Sequence, residues 1–182
     1  AAALYRYFPT KEDLLFTLMR EHMEGLLKAW DDARPAAADP AARLAAYVEN
    51  HIAFHIERRR ATHVSNMELR SLSHERLTQI LKMRTAYEKE LRAILRDGAD
   101  AGIFEIDDVG LTAMALIQMM TGVIVWFRPG ERLSISEVTT TYLSMRKGGR
   151  GTLISRIILI EVDFGVMRRE ERHVHQYAEL RA

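Results

Sequence analysis

Leu4-Tyr5-Arg6-Tyr7-Phe8-Pro9-Thr10-Lys11-Glu12-Asp13-Leu14-Leu15 is the stretch on which the fold turns. An aromatic segment runs into Pro9, and Thr10 is followed three residues later by Asp13, the spacing of a capping box with Asp where Glu is usual. A helix therefore opens here. Leu14, Leu15, Leu18, Met19, His22, Met23, Leu26, Leu27 and Trp30 then recur at three-and-four spacing, giving one apolar stripe that ends near Asp31-Asp32-Ala33-Arg34-Pro35.

The same logic carries on along the chain. Asp39-Pro40 places a proline in the first turn of a second helix, whose apolar positions are Leu44, Tyr47, Val48, Ile52, Phe54, His55 and Ile56. A short helix is expected from Thr62 to Ser71. Ser73 is placed to cap a long one through Leu77, Ile80, Leu81, Met83, Tyr87, Leu91, Ile94 and Leu95, closing near Gly98 or Gly102. Asp107-Asp108 caps a helix from Val109 to Phe127 that is apolar nearly all round, a pattern that demands cover on more than one side. Ser134 to Met145 forms the last helix before Gly148, Gly149 and Gly151. Beyond them, Ile154 to Val166 is β-branched and reads as a strand with no evident place.

Composition narrows the function classes. Of 182 residues, 48% are apolar and 28% charged, which suits a soluble globular chain with one main domain. With no cysteine, disulfides, thiolate metal sites and cysteine nucleophiles are excluded; the lack fits a reducing cytoplasm, the expected location. A formal net charge of +1 gives no global pull toward nucleic acid, so DNA binding has to come from a local constellation. The longest apolar stretch, Leu111 to Phe127, is interrupted by Thr112, Gln118 and Thr121 and falls short of the roughly 20 residues of a membrane span, so no membrane is expected.

The opening stretch resembles the end of the helix-turn-helix of TetR-family regulators, where an aromatic pair, a Phe-Pro turn and a Lys-Glu-Asp helix start occur together. That resemblance implies an all-α, TetR-like fold. Residues 1–12 become the C-terminal remnant of the DNA-binding domain, 13–147 a ligand-binding and dimerisation domain, and 148–182 an atypical tail. The first two helices of the head and the start of its recognition helix are expected to precede Leu4. By the resemblance Tyr5 and Tyr7 face DNA, where a phenol can donate to a phosphate oxygen, and Lys11 meets a phosphate beside the free N–H groups of a helix start. Leu4 and Phe8 are read as core.

Three further strings, Phe54-His55-Ile56-Glu57, Glu68-Leu69-Arg70-Ser71-Leu72-Ser73 and Trp126-Phe127-Arg128-Pro129-Gly130-Glu131-Arg132-Leu133-Ser134, look like a subgroup that represses fatty-acid, steroid or aromatic-acid catabolism and answers to acyl-CoA thioesters. The resemblance ends near Gly148. It implies operator DNA, a small-molecule effector and a second copy of the chain as partners, and no cofactor. Met83, Tyr87, Met114, Gln118 and Met119 are the candidates for lining an acyl tunnel, Trp126 and Arg128 for holding an adenine face and a phosphate.

Each has a plainer alternative. Methionines fill cores, Gln118 and Thr121 can bond another helix, and Trp126 with Arg128 can close a helix end. His51 and His55, four apart, have metal-ligand spacing but no carboxylate or further His in register, so they are read as packed histidines. Arg58-Arg59-Arg60 is read as a solvated run. No phosphate loop and no catalytic Ser-His-acid set is present, so a non-enzymatic repressor is expected. A drug-responsive regulator, a small helical enzyme and a helical interaction module are the competing readings.

Overall fold

The computed structural model describes residues 7–36 and 38–144, where it shows six α-helices, one 3-10 turn and no strand. Tyr5, Leu4 and the strand expected at 154–166 lie outside the described residues. The helices are α1 (Lys11–Ala33), α2 (Pro40–Glu57), α3 (Arg59–Met67), α4 (His74–Asp100), α5 (Val109–Trp126) and α6 (Ile135–Ser144), with the 3-10 turn at Leu69–Ser71.

Local chemistry sets most of these ends. Thr10 accepts from the Asp13 N–H at 3.1 Å while the Asp13 carboxylate accepts from the Thr10 N–H at 3.0 Å, so aspartate completes the capping box. Asp39 accepts from the Ala42 N–H and Asp108 from the Leu111 N–H, each at 2.9 Å. Gly102, with φ of +68°, supplies the left-handed residue just past α4.

Two local expectations fail for tertiary reasons. Ser73 makes no side-chain cap; its N–H instead donates to Glu12 Oε1 at 2.8 Å, because the start of α1 lies against the start of α4. Arg58 and Arg60 are exposed, as a solvated run requires, but Arg59-Arg60 is helical rather than loop and Arg59 is half-buried. Arg58 lies over the Phe54 ring at 4.2 Å, and Arg59 opens α3 and donates to the carbonyls of Phe127 and Val125, satisfying the exposed end of α5.

Helix α2 is the centre of the packing, lying against α1, α4, α5 and α6. Its Tyr47 and Ile52 are fully buried, together with Met19 of α1, Ile80, Leu91, Ile94 and Leu95 of α4, and Met120 of α5. Each such side chain contributes roughly 1.5–3 kcal/mol by leaving water, so this layer is the main source of stability.

Helix α5 has 18 residues and is long and apolar enough to cross a membrane by length and composition alone. The length criterion of the sequence reading therefore does not decide the matter. In the fold, Thr112, Ala113, Leu116, Met120, Val123 and Ile124 face the interior, while Leu111, Met114, Gln118 and Val125 form an exposed stripe at three-, four- and seven-residue spacing.

Candidate ligand-binding cavity

Five helices line a cavity of about 340 Å³ that opens to solvent beside Asn66 and Gln118. Helix α1 contributes His22, Met23 and Leu26, α2 His51 and His55, α3 Ser65 and Asn66, α4 Arg84, Tyr87 and Glu88, and α5 Ile117, Gln118 and Thr121. Apolar side chains make only part of this wall; the rest is imidazole, guanidinium, carboxylate, amide and hydroxyl.

The imidazoles form a cluster. One turn of α2 separates His51 from His55, which stacks their rings at 4.0 Å with planes 14° apart, and His22 meets His55 edge-on at 5.5 Å. His55 Nδ1 donates to the His51 carbonyl at 2.7 Å, and His51 Nε2 is 3.0 Å from Thr121 Oγ1. Burial holds all three well below the usual histidine range: to about 4 for His22, where the charges of Arg84 and Arg58 add to it, and to about 4 for His55, against the opposing hydrogen bond to His51. They are neutral at physiological pH. Among the described residues no group of three His, Cys, Asp or Glu is arranged to hold a metal ion.

Arg84 is the other polar feature. Its Nη2 donates to the Ser65 carbonyl at 2.6 Å and to Asn66 Oδ1 at 3.0 Å, both uncharged acceptors. Its Nε is buried without a hydrogen-bond partner among the described residues, as are His22 Nδ1, His51 Nδ1 and Ser65 Oγ. Glu88, on the same wall, accepts from Arg92 Nε at 2.7 Å.

Of the candidate ligand contacts read from the sequence, Tyr87 and Gln118 line this cavity, and Met83, Met114, Met119, Trp126 and Arg128 do not. Met114 and Trp126 are exposed, at 51% and 48%. Arg128 donates to the carbonyls of Val125 and Phe127, so it closes the end of α5. The residues that sequence reasoning missed are His22, Ser65 and Arg84. The i, i+4 spacing of His51 and His55 was the one legible hint, and it pointed to packing, which is correct, without revealing the cavity beside it.

The face that carries the first turn of α1 is bound to the α3–α4 corner by charge. Arg76 pairs with Asp13 and, at 3.6 Å, with Glu12, and Lys11 lies 3.6 Å from Glu68. The Ser73 N–H holds Glu12 below the usual carboxylate range, and Thr10 with Arg76 does the same for Asp13. Tyr7, just before α1, is exposed.

The family described as tetracyclin repressor-like, C-terminal domain, matches residues 37–149, which include α2 to α6 and most of the cavity wall. The chain belongs to the TetR family. It is 24% identical over 147 residues to the HTH-type transcriptional repressor KstR2 of Rhodococcus jostii, an alignment covering 80% of this chain and 72% of that protein. The TetR-family regulator PfmR from Thermus thermophilus is 33% identical, with a TM-score of 0.71 and 79% of each chain covered. The fold also matches AibR, solved with isovaleryl coenzyme A and operator DNA, at 23% identity and a TM-score of 0.71 over 79% of this chain and 78% of AibR. This is a TetR-family transcriptional regulator with an all-helical regulatory domain.

Proposed function

We propose that this TetR-family regulator is a repressor whose hold on operator DNA is released by an acyl-CoA thioester. The observation that carries the reading is the cavity of about 340 Å³ between the helices, open to solvent beside the exposed Asn66 and Gln118 and within the size range of small-molecule pockets. The acyl group occupies it against Tyr87 and Gln118, with Met23, Leu26 and Ile117 as the apolar wall. AibR, which shares the fold, was crystallised with such a thioester, and that agrees with the choice of effector class.

The nucleotide end reaches toward Trp126 and Arg128 at the end of α5. DNA is held through Tyr7 and Lys11, together with Tyr5. Two copies of the chain assemble through the exposed stripe of α5 and through α6, and the protein works in the cytoplasm without enzymatic turnover. Release requires the effector to prefer the conformation that parts the two DNA-binding heads, since equal affinity for both states shifts nothing.

Calorimetry with a panel of acyl-CoAs, the matching free acids and CoA alone tests the reading. Several thioesters are expected to bind and CoA alone to bind weakly, with Trp126→Leu and Arg128→Met each costing about tenfold in affinity for the thioester. No response to any thioester overturns the effector class and favours a drug-like or other small hydrophobic effector.

A further inference from the structure

A plain aliphatic acyl chain leaves much of this cavity's wall unsatisfied. Arg84 is partly buried, makes no ion pair among the described residues, and keeps Nε without a partner. Around the same space lie His22 Nδ1, His51 Nδ1 and Ser65 Oγ, each buried and unpartnered. Orphaned polar groups on three helices and an unpaired guanidinium are costly in a purely apolar pocket, and one anionic oxygen pair relieves them together.

We propose that the cavity selects a ligand bearing a carboxylate, seated on the Arg84 guanidinium and hydrogen-bonded by the imidazole of His22 or His51 and by the Ser65 hydroxyl. This rests on the cavity being the effector site and adds the chemistry of the group that enters it.

The charge balance is one-sided. Glu88 is the carboxylate on the wall and is already engaged by Arg92, and the three imidazoles are neutral, so Arg84 is the one uncompensated charge among the lining residues. A neutral imidazole still carries one N–H. If the Thr121 hydroxyl donates to His51 Nε2, that N–H is on Nδ1, the atom without a partner. Nη2 spends both its hydrogens on the Ser65 carbonyl and Asn66 Oδ1, so a carboxylate oxygen takes the unpartnered Nε–H in a charge-assisted bond, stronger than the one a neutral carbonyl makes. Met23, Leu26 and Ile117 then cover the apolar body of the ligand.

Two sources share this chemistry: a free carboxylic acid, and the far carboxylate of a dicarboxylic acid held as a monothioester. The test is calorimetry on the full chain with two matched pairs, glutaryl-CoA against butyryl-CoA and 3-phenylpropionate against 3-phenylpropionamide. In at least one pair the carboxylate member binds about tenfold or more tightly than its neutral partner. Arg84→Gln abolishes that difference, and Arg84→Lys, which keeps the charge without the Nε–H, retains part of it. The Lys variant and the wild-type comparison decide the matter should Arg84→Gln fail to fold.

A response confined to the free acid leaves the carboxylate site standing and removes the thioester. Butyryl-CoA binding as tightly as glutaryl-CoA and the amide as tightly as the acid, with Arg84→Gln unchanged, leaves the thioester and overturns the carboxylate site. Binding of no carboxylate in either pair overturns it as well.

Discussion

His55 shows how a single buried side chain ties this site to pH. Burial lowers it from 6.5 to about 4, so between those values the unfolded chain binds a proton that the folded chain refuses. Stability is therefore complete above about pH 6.5 and is lost as the pH falls toward 4. For His55 alone the loss is on the order of 3 kcal/mol at the acid end. His22 and His51 shift in the same direction, and the nearby charge of Arg84 adds to the effect on His22 and His55. Urea denaturation between pH 7 and pH 4.5 is expected to show a steep fall in the midpoint. His55→Asn, which can still donate near the His51 carbonyl, is expected to flatten that fall; an unchanged slope means His55 is not the titrating group.

At the scale of elements, α4 depends on a glycine in its last turns. A Cβ at Gly98 sits 2.0 Å from Phe104 Cδ2, an overlap only a shift of the ring can relieve, and the Gly98 carbonyl accepts from the Ile103 and Phe104 amides in the turn that carries the ring. Helix propensity favours alanine over glycine by roughly 1 kcal/mol, whereas overpacking a filled site typically costs about 1–3 kcal/mol. The clash wins because Phe104 is tethered by that turn. Gly98→Ala is expected to lower stability by about 1–2 kcal/mol, and adding Phe104→Leu should recover part of it. Chemical denaturation of the two variants checks this; a stabilised Gly98→Ala shows that the ring moves freely.

Across the whole molecule, the exposed stripe of α5 is the unfinished part of the fold. Leu111, Met114 and Val125 are exposed in the single chain, Val125 at 71%, and a Cβ at Gly122 meets nothing within 4 Å, so a second helix can approach closely there. In the proposed two-fold assembly a second copy of the chain covers this surface. Val125→Glu is expected to shift sedimentation from dimer to folded monomer at micromolar concentration. Val123→Glu behaves differently. Val123 is 1% exposed within its own chain, so a charge there unfolds the subunit. A folded monomer from Val123→Glu, or an intact dimer from Val125→Glu, reverses this assignment. Gln118 belongs both to the stripe and to the cavity wall, so the proposed effector and the proposed partner copy would meet the same helix.

The positions of α1, α2, α4, α5 and α6, the capping box at Thr10 and Asp13, the Asp39 and Asp108 caps and the turn at Gly102 were determined by the sequence itself, whereas the short helix expected from Thr62 to Ser71 begins at Arg59 and ends at Met67, before the 3-10 turn. Each depends on groups within about four residues of one another, and the capping and periodicity rules act over that range. Ser73 marks the boundary of that reasoning, since a carboxylate 61 residues away claims its N–H. The cavity belongs wholly to tertiary structure. Its His22, His51, Ser65 and Arg84 come from four helices, and no spacing in the chain announces that they meet. Helix α5 explains why methionine positions misled. A helix apolar on every side gives periodicity no phase, so which of Met114, Gln118, Met119 and Thr121 turns toward the interior is decided by how α5 rotates against α2 and α4.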